Sequence, residues 1–235
     1  MANPKLTRRG VLSAAGAIAT SATFAQGIGP LMAATPEGFN PDAFNPDDFK
    51  QTITTMFWVG EAADAENAYI SNHESYWDKD WLISFGGVDD PVHRNGHWPS
   101  GFTPKENPFY VALPYGEFTP HGGLKLEARG IPWYRPDLVP LLKNRWVEIR
   151  YGARACFAQW QDVGPCGEDD FPFVFGAAEV PRNTFEAEAG LDVSPAVWHH
   201  LGMTDNAPTL WRFIDASAVP EGPWSEIVTT SDNNR

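Results

Sequence analysis

A carboxylate, that of Asp162, stands at the end of one of the most regular strand patterns in the chain. In the segment FAQWQDVGPC, residues 157–166, side chains alternate as they do along a strand, which places Trp160 and Asp162 on the same side. The residues from Val163 to Cys166 then predict a turn. A carboxylate at such a place either bonds the amides of its own turn or gives and takes protons in an active site. The sequence leaves both interpretations open for Asp162.

Aromatic residues are frequent, and several stand beside polar residues in turn-rich segments. The chain has 10 Trp, 15 Phe and 6 Tyr. Exposed rings beside hydrogen-bonding groups can hold sugar rings, whereas buried rings fill small β cores. The tryptophans in such surroundings are Trp77, Trp81, Trp98, Trp133, Trp160 and Trp198. They favour a carbohydrate ligand as one interpretation and core packing as the other.

Metal and serine chemistry find little support in the sequence. His199 and His200 are adjacent in a predicted helix, so their rings point in different directions. The other histidines are scattered without a ligand spacing: His73, His93, His97 and His121. Neither a Gly-rich phosphate loop nor a Gly-x-Ser-x-Gly elbow occurs. We therefore predict no metal and no cofactor.

The N-terminus has the layout of an export signal. Arg8 and Arg9 precede an apolar run over residues 11–25, which is typical of the twin-arginine route. We therefore predict a signal peptide over residues 1–34, a linker or arm over 35–50, and a periplasmic or secreted protein without an integral membrane segment after signal removal.

Charge then limits the partners of the mature chain. The signal holds three basic residues and no acidic one, which leaves 14 basic and 30 acidic residues and a net charge of about −16. Nucleic acid is an unsuitable partner, because phosphate binding needs a basic surface. A neutral substrate fits more easily.

Two cysteines, Cys156 and Cys166, flank the turn after Asp162. Both lie in the part predicted to be exported, where disulfides persist. We expect a bridge between them, which would pin this turn rather than staple the whole domain.

The element pattern is mostly β. It predicts strands over residues 53–59, 109–115 and 209–215, and two more on either side of Gly152. One helix is predicted, with Ser194 as its N-cap, Pro195 in its first turn and Gly202 at its end. Residues 60–105 follow no period for long, which predicts a long irregular insertion within a single domain over residues 51–235.

Three pieces stand in an order that resembles the double-psi β-barrel proteins of the rare-lipoprotein-A, expansin and barwin type. They are the strand ending in Asp162-Val163-Gly164-Pro165, the segment from Gly190 to Met203 that contains Leu191-Asp192-Val193-Ser194-Pro195, and the last strand. Val163 stands where the family usually has Arg, and Val193 where it has Leu. The resemblance covers residues 107–215, with FYVALPYGEF similar to an upstream family segment.

The resemblance implies a six-stranded double-psi barrel with one short helix and a groove for a polysaccharide. In lytic transglycosylases and family-45 endoglucanases of this superfamily, carboxylates on the barrel loops act on glycosidic bonds. By this resemblance Asp192 is the acid/base and Asp162 its partner. Asp78, in Tyr76-Trp77-Asp78, resembles the base of the endoglucanases, with Glu186 and Glu188 as alternatives. Trp160, Trp77, Trp198 and Tyr76 are the candidates for substrate binding.

Two functions remain open at this point. The first is cleavage of glycosidic bonds in a polysaccharide, either a neutral glucan or peptidoglycan, as a hydrolase or a lytic transglycosylase. The second is an expansin-like protein that binds and loosens the polymer without cutting it. Fold does not decide between them; the site must.

Overall fold

Six strands close into a barrel in the computed structural model, which describes residues 48–65, 67, 69–184 and 187–231. The barrel strands are β1 (Lys50–Met56), β4 (Tyr110–Leu113), β5 (Trp146–Tyr151), β6 (Arg154–Val163), β7 (Ala189–Val193) and β8 (Ala207–Ile214). Two short strands, β2 (Arg94–Asn95) and β3 (Trp98–Pro99), form a separate hairpin. The predicted signal peptide and most of the predicted arm lie outside the described residues.

The barrel strands follow the order β1-β7-β4-β6-β5-β8. Strand β1 runs parallel to β7, and β4 runs parallel to β6, while every other neighbouring pair is antiparallel. This mixed, closed arrangement is compatible with a double-psi barrel. The predictions of a mainly β fold and of a six-stranded barrel are confirmed.

Both parallel pairs contain a register shift. In the β4–β6 pair it falls between Val111 and Ala112, and in the β1–β7 pair between Ile53 and Thr54. An extra residue in one strand of a pair re-aims the side chains that follow it. Because of the first shift, Ala112 pairs with Asp162 rather than with the residue before it. The expectation that Trp160 and Asp162 share a side is therefore wrong: Trp160 points into the core, and Asp162 faces outward with Ala112.

The barrel interior is filled by aromatic rings. Trp160 stacks on Phe213 at 5.9 Å between ring centroids, and Phe213 stacks on Phe175 at 5.5 Å. Trp211 meets Phe213 edge to face at 5.4 Å. Such ring contacts add to the stabilisation that burial of the rings already gives.

Among the described residues, three short α-helices lie against the barrel. They are α1 (Trp81–Phe85), α2 (Phe171–Val174) and α3 (Pro195–Leu201). Helix α3 was predicted, and its caps are confirmed: the Ser194 hydroxyl accepts from the amide of Val197, and Gly202 is left-handed. Lys50 fixes the end of α2, since its ammonium donates to the carbonyls of Phe173 and Gly176.

The segment between β1 and β4 packs on the outside of the barrel. Its own small core contains Phe57, Trp81 and Phe85 and rests on Tyr110 and Ala112 of β4. The alternate β4 residues, Val111 and Leu113, point into the barrel. The insertion therefore covers the outward face of β4.

A buried ion pair anchors this insertion. Arg94 donates to the carboxylate of Asp89 at 2.6 Å, and the hydroxyl of Tyr110 donates to the same carboxylate at 2.9 Å. The hydroxyl in turn accepts from the amide of Val59 at 2.9 Å. The insertion is thus tied to β4 by hydrogen bonds as well as by packing.

The predicted disulfide is wrong: Cys156 and Cys166 are not bonded to each other. Cys156 lies near the start of β6, and that strand stays extended to Val163. The seven steps from Cys156 to Val163 span about 23 Å, and the three steps from Val163 to Cys166 can recover at most about 11 Å of this. The separation that remains exceeds the roughly 4.4–6.8 Å between Cα atoms that a bridge needs. The extended strand β6 therefore keeps the two cysteines apart.

Among the described residues, no helix is long and apolar enough to cross a membrane.

Candidate active site

Four residues form one row across four neighbouring strands. Asp162 of β6 pairs with Ala112 of β4, Ala112 pairs with Asp192 of β7, and Asp192 pairs with Thr55 of β1. Laterally paired residues point to the same face of a sheet. Because Ala112 faces the insertion, both aspartates point to the outside of the barrel. The two carboxylates named from the sequence are therefore brought together, with one small residue between them.

Asp192 is held by its neighbour on β1. The hydroxyl of Thr55 donates to the carboxylate of Asp192. Only 1% of Asp192 is exposed, and the next residue along, Val193, points into the barrel core. Ser194 then begins α3, so a fixed strand and a capped helix set the direction of this carboxylate.

Asp162 is held by the insertion. The amide of Tyr76 donates to its carboxylate at 2.6 Å, and only 4% of the residue is exposed. The backbone carbonyl of Asp162 accepts from the indole of Trp160 at 2.7 Å. Asp162 thus bonds an amide 86 residues away rather than serving only its own turn.

A tight turn places the backbone amide of Tyr76 beside the carboxylate of Asp162. The hydroxyl of Ser75 accepts from the amide of Asp78 at 3.0 Å, and the amide of Ser75 donates to the carbonyl of Asp78 at 2.7 Å. The carboxylate of Asp78 accepts from the amide of Asp80 at 2.8 Å. Through these contacts, the buried residue Asp78 stabilises its own turn.

The ring of Tyr76 is locked against the segment after β4. Its hydroxyl accepts from the amide of Phe118 at 2.9 Å and donates to the carbonyl of the same residue at 3.1 Å. Gly116 makes this approach possible, since a Cβ there would lie 2.3 Å from the Tyr76 ring. The turn over Asp162 is therefore held from two sides.

Trp77 contacts a further buried carboxylate, that of Glu117. Its indole donates to the two oxygens of Glu117 at 3.2 and 3.1 Å, and the amide of Leu141 donates to one of them at 3.0 Å. Burial raises the pKa of Glu117, although these hydrogen bonds oppose the rise. Glu117 links the turn to the loop before β5.

The four predicted substrate-binding aromatics are buried. Trp77 meets Trp160 edge to face at 5.9 Å, and Tyr76 meets Trp77 at 5.2 Å. Trp198 lies on α3 and is 8% exposed. In this conformation these rings pack the core and present no face to a sugar.

Two clefts open beside the predicted residues. One, of about 400 Å³, is bordered by Glu74, Tyr76, Lys79 and Glu168. The other, of about 670 Å³, lies along β1 and is bordered by Lys50 and Glu188 among others. The alternative partner carboxylate Glu186 lies outside the described residues.

Sequence reasoning missed Thr55, Ala112 and Glu117. A threonine or alanine within a strand does not indicate a functional site in the sequence, because it becomes part of a site only through cross-strand pairing. Glu117 gave a weak signal, since it stands inside an otherwise apolar segment, FYVALPYGEF. Buried charges of this kind are rare without partners.

Known protein families offer no match to this chain, and a search of the curated proteins found none either.

Proposed function

We propose that this protein is a double-psi β-barrel of the rare-lipoprotein-A and expansin type that cleaves glycosidic bonds in an extracellular polysaccharide. The row that places Asp162 and Asp192 on either side of Ala112 is the observation that supports it. Two strand spacings of about 4.8 Å put their Cα atoms about 10 Å apart. Carboxyl groups on one face at that spacing are compatible with the roughly 6.5–9.5 Å separation of an inverting glycosidase.

The two carboxyl groups have separate tasks in this reaction. Asp192, as the acid, gives its proton to the glycosidic oxygen while the bond from that oxygen to the anomeric carbon breaks. Asp162, as the base, takes a proton from the water that attacks the anomeric carbon. The products are a shortened chain and a new reducing end, and the proton on Asp162 must return to Asp192 through solvent. Thr55 and the amide of Tyr76 hold the carboxylates in place.

Access requires movement of the turn that includes Tyr76. Both carboxylates are almost fully buried beneath the insertion, so a polymer reaches them only when this turn moves away. Closure over substrate would then exclude bulk solvent, as lids do in many enzymes, and keep only the attacking water.

The substrate class follows from charge. With 30 acidic and 17 basic residues, the chain as a whole repels an anionic polymer at long range. A neutral glucan is therefore our first substrate, and peptidoglycan the second because the resemblance to bacterial barrel proteins points to it.

The test is incubation of the purified protein with soluble β-glucans, chitosan and peptidoglycan, followed by mass spectrometry of released oligosaccharides. A reducing-end product supports the hydrolase, and an anhydro-sugar end identifies a lytic transglycosylase. Absence of product from every polymer, with the protein folded, would refute cleavage.

The second candidate function is a non-catalytic polysaccharide binder of the expansin type. The deep burial of both carboxylates favours it, because a binder needs no access to them. Retention on one insoluble polymer without any released product would support this function instead.

A further inference from the structure

Two histidines meet where the insertion touches the barrel. His97 lies in the turn between β2 and β3, and His200 lies on α3. Their ring centroids are 5.8 Å apart, with the planes tilted by 51°. This contact joins two elements that are 103 residues apart in sequence.

Aromatic rings pack against both histidines, which are half-buried. The Phe109 ring lies 5.0 Å from His97 and 6.1 Å from His200, between centroids. Trp224, in the C-terminal segment, lies 5.3 Å from His200. Neutral imidazoles suit this setting, whereas two imidazolium ions would lose hydration and repel each other.

The hydrogen bonding of His97 also favours its neutral form. Within the part of the chain that the structure describes, the buried Nδ1 of His97 has no hydrogen-bond partner. Protonation would place an N–H there with nothing to accept it, which is costly in a buried position.

Burial and most of the nearby charges lower the pKa values of the two histidines. Burial, then the nearby His200 and Arg94, lower the pKa of His97, and Glu226 opposes them. Burial is also the main cause that lowers the pKa of His200; Arg154 adds to it, and a backbone hydrogen bond at Ala155 opposes it.

Other titratable groups on these elements are engaged locally. His93 pairs with Asp90 at 2.8 Å, and the pKa of Asp90 is lowered to about 2 by that hydrogen bond and by backbone amides. His199 contacts the carbonyl of Pro91 at 3.1 Å and gives α3 a second link to the insertion.

We propose that the contact between His97 and His200 is a pH-sensitive latch, which holds the β2–β3 hairpin on α3 near neutral pH and releases it on acidification. Both rings bind protons more weakly in the closed form than in an open one. Closure is therefore most stable above the ordinary histidine pKa of 6.5 and weakens as the pH falls below it. The latch lies on the insertion that covers Asp162 and Asp192, but its action does not depend on the proposed activity.

The test is amide hydrogen exchange over residues 89–100 at about pH 7.5 and about pH 5, expressed as protection factors that remove the pH dependence of intrinsic exchange. If the open form binds one proton more than the closed form, the equilibrium constant for opening changes by up to about tenfold per pH unit. We expect protection of the hairpin to fall about tenfold or more at the acid pH, while the paired amides of β5 and β6 stay protected.

Matched variants identify the groups responsible. His97→Phe and His200→Phe keep a ring in place but cannot titrate, so the acid loss of hairpin protection should shrink. His121→Gln, at an exposed loop, should leave it unchanged. Equal pH dependence in the two Phe variants and the parent protein would overturn the proposal. If those variants do not fold, NMR titration of the parent decides: a His97 pKa at or above 6.5 would also overturn it.

Discussion

Asp162 and Asp192 are the cross-strand neighbours of a single residue, Ala112, one on each side. The two aspartates come from segments about 30 residues apart, and only the pairing of β4 with both β6 and β7 makes them near neighbours on one face. The register shift in the β4–β6 pair is needed for this, because it aligns Asp162 with Ala112.

Gly116→Ala should destabilise the protein. The new Cβ would lie 2.3 Å from the Tyr76 ring, so the ring must move and its turn must loosen over Asp162. We expect a loss of about 1–3 kcal/mol in the free energy of unfolding, measured by urea denaturation.

Gly101→Ala is the control for this change. A Cβ at Gly101 meets nothing within 4 Å, and the residue is exposed. The control should be neutral or slightly stabilising, because alanine lowers the entropy of the unfolded chain. Equal stability of the two variants would show that Gly116 does not clamp Tyr76.

Thr55→Val should weaken the hold on Asp192. Valine keeps the shape of threonine but removes the hydroxyl that donates to the carboxylate. We expect a cost of about 1.5–3 kcal/mol in the free energy of unfolding, whereas Thr55→Ser should recover most of it. A valine variant as stable as the parent protein would mean that this hydrogen bond contributes nothing.

Because of Lys50, the free energy of unfolding should depend on pH in the alkaline range. Burial lowers its pKa from 10.5 to about 8, and Asp170 opposes the shift. Between these two values the unfolded chain binds the extra proton, so the free energy of unfolding should rise with pH from about 8 to 10.5.

The matched comparison for Lys50 uses two variants. Lys50→Met should lose this rise, and Lys105→Met, at an exposed site, should keep it. Chemical denaturation at several pH values measures the effect. A rise of the same size in Lys50→Met would assign it to another group.

Both cysteines should react as thiols rather than as a disulfide. Cys156 is fully buried and its pKa is raised by burial, so in the folded protein it should react slowly with a thiol reagent. Cys166 is half-buried and should react first. The denatured protein should give two thiols without reductant, and Cys166→Ser should give one. A count of zero in the denatured parent protein would restore the disulfide.

Much of the fold could be predicted because its signals are local. The alternation in residues 146–163, the turn at Gly152 and the capped helix after Ser194 each appear within a few neighbouring residues, and each is found in the structure. Strand β7 was less visible, since Ala189–Val193 is short and carries both Gly190 and Asp192. Short helices such as α1 and α2 also depend on packing rather than on their own sequence.

The site could be predicted only in part. Asp162 and Asp192 were proposed because each stands in a short motif that resembles the barrel family. Their bonds to Tyr76 and Thr55 could not be found, because they join residues 86 and 137 positions apart. The aromatic residues carry an ambiguous signal, because a tryptophan beside polar residues in sequence can still point into the core, as Trp160 does between Gln159 and Gln161.

The most direct test compares the parent protein with Asp192→Asn on the polymer that it cleaves best. Asparagine keeps the size of the side chain but cannot give a proton to the glycosidic oxygen. We predict a fall in the cleavage rate of about a hundredfold or more, with the variant still folded and still bound to the polymer. Asp205→Asn, at an exposed position, should cleave at the parent rate. Undiminished cleavage by Asp192→Asn would contradict the account.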